Sequence, residues 1–170
     1  EDNPEFDKGE AKRAVNRFVS LNVHNIRQKV ETIVDDFMLN RIMWIDGKAK
    51  AMVVTASRLH AVRYKIAIDR YIKEKGYNIK ALVAFSGTVN DEEEEYTEVS
   101  MNKNIASDIT ENNLPNIFDK DEFKILIVAE KYQTGFDQPK LCAMYVDKKL
   151  DGIKTVQTLS RLNRIYPNKQ

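Results

Sequence analysis

The chain is poor in the residues that staple small folds or hold metals. Of its 170 residues one is cysteine, Cys142, and two are histidine, His24 and His60. An internal disulfide and a cysteine-rich metal site are both excluded, and the usage fits a reducing, cytoplasmic setting. The lone thiol lies in an apolar run and is expected to be buried and inert. The two histidines stand too far apart to imply a metal site, so no metal ligands are assigned. No apolar run is long enough to span a bilayer, so no membrane partner is expected, and no signal-peptide pattern opens the chain. The phosphate-loop pattern GxxxxGK[ST] is absent, and so is a DE-x-H magnesium motif. Charge of one sign is missing as well. With 27 basic against 26 acidic residues the net charge is +1, so a nucleic-acid surface would have to come from local clustering of Lys and Arg. The chain opens on Glu1 rather than Met and reads as a piece of a longer protein.

What is present describes one globular domain: 42% hydrophobic and 31% charged residues, on a chain long enough for a sizeable core. Residues 1–10 read as a frayed polar lead-in. From Ala11 to about Met43 apolar residues fall at helical spacing, with Asn22 placed to cap a second helix after a break at Leu21. Asp46-Gly47 is a turn signal. From Ala49 the pattern alternates: a strand at Ala51–Thr55, a helix at Ala61–Lys75 stopped by Gly76, a strand at Ile79–Phe85, strands at Lys124–Ala129 and Leu141–Val146, and a helix at Ile153–Asn163. Alternation with short connections predicts an α/β fold, a parallel sheet with helices on both faces, preceded by an N-terminal helical segment. The division expected is 1–48 as a helical lead-in or inter-domain connection and 49–170 as the α/β domain. Asp91 to Glu95 are five consecutive acids, read with the residues through Asn113 as a solvated loop or hairpin. Asn113 is placed to cap a short helix at Leu114–Asp119.

Four groups of residues could carry chemistry. Arg161 and Arg164 are neighbours on one helix face, with Gln157 a turn earlier on the same face. Planar, permanently charged guanidinium groups suit a terminal phosphate. Thr134-Gly135-Phe136-Asp137 follows a strand: Gly135 permits close backbone approach, Asp137 can accept from ribose hydroxyls or orient an arginine, and Thr134 can donate to a DNA phosphate. Thr55, Ser57 and Arg58 sit where a parallel strand feeds a helix, a place suited to phosphate; the plain alternative is a helix cap with a solvated arginine. Ser86-Gly87 end another strand.

The stretch from Lys124 to Pro167, with YQTGFDQP and VQTLSRLNRIYP, resembles motifs V and VI of superfamily-two helicases and translocases. Its wording is similar to the motor (R) subunit of type I restriction enzymes. MVVTASRLHAVRYKIAIDRY resembles the same family's motif IV region, and Phe85-Ser86-Gly87-Thr88 the motif that touches the tracked strand. The resemblance covers about Ala49 to Lys169. It departs from the wider helicase pattern at Ser160, where many members have glycine.

The resemblance implies a RecA-like second motor domain (a helicase C-terminal domain) within an ATP-dependent DNA translocase and endonuclease of a restriction system. Arg161 and Arg164 would be catalytic, and Gly135, Asp137, Gln157 and the two arginines would contact ATP with Mg, whose metal ligands belong to the missing first motor domain. Thr55, Ser57, Arg58, Ser86, Gly87 and Thr134 would contact double-stranded DNA. The partners implied are the preceding RecA-like domain and the methyltransferase and specificity subunits of the complex. The isolated piece is not expected to hydrolyse ATP. A second reading on the same fold is a non-catalytic RecA-like module that binds DNA or protein; a more remote third is a flavodoxin-like small-molecule enzyme, which would need a ligand pocket that does not include Arg161 and Arg164.

Overall fold

The computed structural model describes residues 8–132 and 136–149. Their elements run α1 (Lys8–Leu21), α2 (Val23–Asp36), a π-helical turn (Phe37–Arg41), a short helical turn α3 (Trp44–Gly47), β1 (Lys50–Thr55), α4 (Arg58–Lys75), β2 (Lys80–Ala84), β3 (Thr88–Asp91), β4 (Glu94–Thr97), α5 (Glu98–Asn102), α6 (Leu114–Asp119), β5 (Phe123–Val128) and β6 (Leu141–Asp147). Strands β2, β5, β1 and β6 form one sheet in that order, all parallel, and β3 and β4 form a separate antiparallel hairpin. This is the α/β architecture expected, a RecA-like parallel sheet covered on both faces.

Period-two alternation along each strand sends side chains to opposite faces. Ala51 and Val53 of β1, with Val83, Ile125 and Ile127, pack under α2 and α4. Met52, Val54, Leu82, Leu126 and Val128 pack on the other face with Leu114, Ile117 and Phe118 of α6. Covering both faces explains why β1 and β5 are buried along their whole length. Helix α2 gives Ile26, Val30, Ile33, Val34 and the adjoining Phe37 to the first of these cores. Helix α1, which starts at Lys8 inside the expected lead-in, leaves Val15, Phe18 and Val19 exposed.

Local chemistry sets the helix ends. Asn22 Oδ1 accepts from the His24 and Asn25 backbone N–H groups and starts α2. Ser57 caps α4 by accepting from His60 N–H at 3.3 Å. Gly76, at φ +66°, ends α4 in the left-handed conformation that side chains disfavour. Asn113 does not cap α6. It lies in the right-handed helical region, and its Oδ1 accepts from Thr110 N–H instead.

Of the loop or hairpin expected around the acidic run, the hairpin forms: residues 88–97 make β3–β4, where Val89 packs into the first core and Arg63 grips Asp91 through two hydrogen bonds, of 2.8 and 2.6 Å. Cys142, expected to be buried, is half-buried, on the strand that borders the sheet among the described residues. His60 is buried, with its Nδ1 2.7 Å from Ser57 Oγ and its Nε2 3.0 Å from Ser20 Oγ. Burial lowers its pKa.

The outer edge of β2 is closed by side chains. Asn102 Oδ1 accepts from Val83 N–H at 3.0 Å and its Nδ2 donates to Val83 O at 2.8 Å. Four residues earlier on α5, Glu98 Oε2 accepts from Phe85 N–H at 2.9 Å. Residues four apart on a helix are about 6 Å apart, which matches the advance of two residues along a strand. No helix among the described residues is long and apolar enough to cross a membrane.

Candidate functional site at the carboxyl edge of the sheet

In a parallel sheet all strand ends that feed loops lie on one edge, and ligands of open α/β sheets bind there. Here that edge carries Thr55 at the end of β1, Ser86-Gly87 after β2, Lys131-Tyr132 after β5 and Asp147 at the end of β6. Thr55 is 1% exposed, and its Oγ1 donates to Val128 O at 2.9 Å. It therefore braces two neighbouring strand ends from beneath. The residues that reach the surface are Arg58, Ser86 and Gly87, with Ser57 half-buried beside them.

Arg58 joins the first two loops. Its Nη1 donates to Ser86 O at 2.9 Å, and the rest of the side chain stays exposed. Gly87 follows at φ +73°, and a Cβ added there would lie 3.1 Å from Arg58 Nη1. The left-handed backbone favours glycine, and a side chain there would also push the guanidinium aside by a few tenths of an ångström. The arrangement leaves one anchored guanidinium, two hydroxyls and the first turn of α4 on one surface. The first turn of a long helix presents unpaired backbone N–H groups and a partial positive charge. Such a surface can hold phosphate oxygens.

Asp147, at the end of β6, accepts from Lys29 Nζ at 2.8 and 3.0 Å and from Tyr64 OH at 2.5 Å. Burial raises its carboxyl, but the bonds from Lys29 and Tyr64 together outweigh it and leave the pKa lowered. Sequence reading missed this residue and Glu98. A lone acid ending an apolar strand was the only signal for Asp147. Asp137 is exposed, and Phe136 beside it is buried against Tyr132 and Phe118, as a core residue should be. Thr134, Gly135, Gln157, Arg161 and Arg164 lie outside the described residues. Among the described residues no group of three or more His, Cys, Asp or Glu side chains is placed to hold a metal.

A sizeable hollow lies away from this edge. It is about 560 Å³, between α2, α4 and the β3–β4 hairpin, lined by Arg63, Arg70 and the acidic tip Glu92 to Glu94 among others. Arg63 is already tied to Asp91 and to Leu21 O. The carboxyl edge is an open shelf by contrast.

A four-stranded parallel sheet covered on both faces defines an α/β domain. Comparison with known proteins narrows the class. Residues 98–170 match the family described as type I restriction enzyme subunit R domain 3. The putative type I restriction enzyme MjaVIIP endonuclease subunit of Methanocaldococcus jannaschii is 34% identical over 97% of this chain and 16% of its own length. The type I restriction enzyme HindI endonuclease subunit of Haemophilus influenzae is 32% identical over 71% of the chain and 12% of its own length. The chain belongs to the type I restriction enzyme R-subunit family, and it spans about a sixth or less of the length of these relatives.

Proposed function

We propose that this chain is the second RecA-like motor domain of an R subunit that translocates and cleaves double-stranded DNA with ATP. The observation that carries the reading is the exposed cluster Arg58, Ser86 and Gly87, with half-buried Ser57, on the carboxyl edge, in a domain of the R-subunit family. Third place in the subunit also fits, with a nuclease and a first motor domain preceding it. Arg58 contacts the DNA backbone, Ser57, Ser86 and Gly87 supply further donors, and Thr55 holds the strand end that positions them. Thr134 extends the track.

The nucleotide half-site is assigned to Gly135, Asp137, Gln157, Arg161 and Arg164. When bound, ATP supplies the phosphoanhydride whose cleavage drives the motor. The phosphate loop and magnesium ligands belong to the preceding domain, since this sequence has neither pattern. Arg161 and Arg164 reach across the cleft and offset charge on the terminal phosphate as it grows. A split site of this kind is a shelf until the two domains close, and closure excludes water. The methyltransferase and specificity subunits complete the assembly, and the DNA target is chosen outside this chain.

In the assembled R subunit, Arg161→Ala and Arg164→Ala should each lower ATP turnover by roughly 10³-fold or more. Nucleotide affinity should change less, and Lys at either position should not rescue. Steady-state ATPase and triplex displacement measure this, with circular dichroism as the folding control. Near-normal turnover in the folded double variant would overturn the assignment.

A further inference from the structure

Glu98 stands where two loops of the carboxyl edge meet. It is the first residue of α5 and 1% exposed. Its Oε2 accepts from Phe85 N–H at 2.9 Å and from Lys131 Nζ at 2.7 Å. Phe85 immediately precedes Ser86, whose carbonyl receives Arg58. Lys131 lies three residues before Thr134. One carboxylate oxygen therefore grips the backbone of the loop after β2 and the side chain of the loop after β5.

Closing the sheet edge does not require this charge. Asn102, one turn along the same helix, satisfies Val83 with an amide alone, using both its oxygen and its nitrogen. A glutamine at 98 could accept from Phe85 N–H equally well. The carboxylate is also expensive where it sits. Its Oε1 is buried without a hydrogen-bond partner among the described residues, as is the hydroxyl of Tyr132 next to Lys131. Burial pushes the Glu98 carboxyl above its usual range, against the pull of Lys131. A buried charge with one idle oxygen is retained at a cost, and what it gains over the amide is the ion pair to Lys131.

We propose that Glu98 is a positioning residue whose ion pair with Lys131 mechanically couples the loop after β5 to the loop after β2. This rests on the motor reading above, in which the first loop leads to the nucleotide half-site and the second grips DNA. A shift of either loop is then felt by the other through one carboxylate, rather than through the sheet between them. Coupling of this sort is reciprocal: DNA on the Arg58–Ser86 shelf favours the loop position that nucleotide also favours.

The test uses the assembled R subunit. ATP turnover is measured with and without duplex DNA, together with the DNA concentration giving half-maximal stimulation, nucleotide affinity and thermal midpoint. Glu98→Gln and Lys131→Met should each reduce DNA stimulation about tenfold and raise the half-maximal DNA concentration, with nucleotide affinity unchanged. The double variant should be no worse than either single one. Lys131→Arg, which keeps the charge, should restore coupling. Asn102→Ala should lower the thermal midpoint and leave stimulation intact. Wild-type stimulation in Glu98→Gln, additive losses in the double variant, or an equal loss in Asn102→Ala would overturn the coupling role. A wild-type subunit without DNA-stimulated turnover would remove the motor reading itself, and that outcome is seen before any variant is made.

Discussion

The two edges of the sheet use basic residues in opposite ways. At the amino edge Lys50 is fully buried and donates from Nζ to Lys120 O at 2.9 Å and Phe123 O at 2.5 Å, over the ring of Phe118. Lys124 donates to Gly47 O, and Lys140 to Asp119. Each of these cations is spent on a backbone carbonyl or an acid of the fold. At the carboxyl edge Arg58 donates to Ser86 O and stays exposed. Equal numbers of positive charges on a sequence say little about a ligand. What matters is how many of their donors the fold has already used.

The largest effect that would sharpen this contrast concerns Lys50. Burial, and then the nearby Lys124 and Lys140, push its pKa down to about 7, opposed by Asp119 and Asp121. The unfolded chain holds this proton up to the ordinary lysine range near 10.5. Between about pH 7 and 10.5 the unfolded state therefore binds more protons, and stability contributed by this group rises with pH. Below pH 7 both states are protonated and the cost of the buried charge is fully present. The rise is bounded at about 4–5 kcal/mol, and the two carbonyl acceptors, which favour the charged form, make the true value smaller. Lys50→Met should flatten that slope in urea unfolding across this range, with DNA affinity per folded molecule unchanged. A slope that survives in Lys50→Met would put its origin elsewhere.

Next in size is Gly87→Ala. The left-handed backbone at φ +73° and the Arg58 guanidinium 3.1 Å from the new Cβ should together cost about 1–2 kcal/mol of stability. DNA binding should weaken severalfold as the arginine is displaced. Unchanged binding would mean that the shelf does not hold DNA.

The smallest and most specific effect is Arg58→Ala. Stability should stay within about 0.5 kcal/mol, as for an exposed side chain. DNA affinity should fall uniformly across sequences, and the salt dependence of binding should lose about one charge. An unaltered salt slope, measured by anisotropy titration, would break the contrast between the edges.

Much of the frame was legible in the chain. Buried-strand runs, helical spacing and the signals at Asn22, Ser57 and Gly76 depend on neighbours within a few residues, and the structure shows them among the described residues; the helix expected at Ile153–Asn163 lies outside these. The β3–β4 hairpin was legible only as one of two alternatives, because acidic residues are poor strand formers and the contacts that fix it, Val89 in the core and the Arg63–Asp91 pair 28 residues apart, are distant in sequence. Glu98 was hidden for the same reason. It reads as one more acid in an acidic stretch until the fold brings Phe85 and Lys131 to it. The proximity of Arg58 to Ser86 follows from parallel connectivity, whereas the bond between them does not.

The side chains that seal β2 also bear on how the sheet can grow. An unpaired strand edge invites another strand, from the same subunit or from a stray copy of the chain. On β2 the Val83 and Phe85 positions are already occupied by Asn102 and Glu98, so an incoming strand would have to strip out a buried amide and a buried carboxylate. Among the described residues the opposite border is β6, with Val146 exposed. Intermolecular strand pairing at Val83 and Phe85 on the β2 side is thereby opposed.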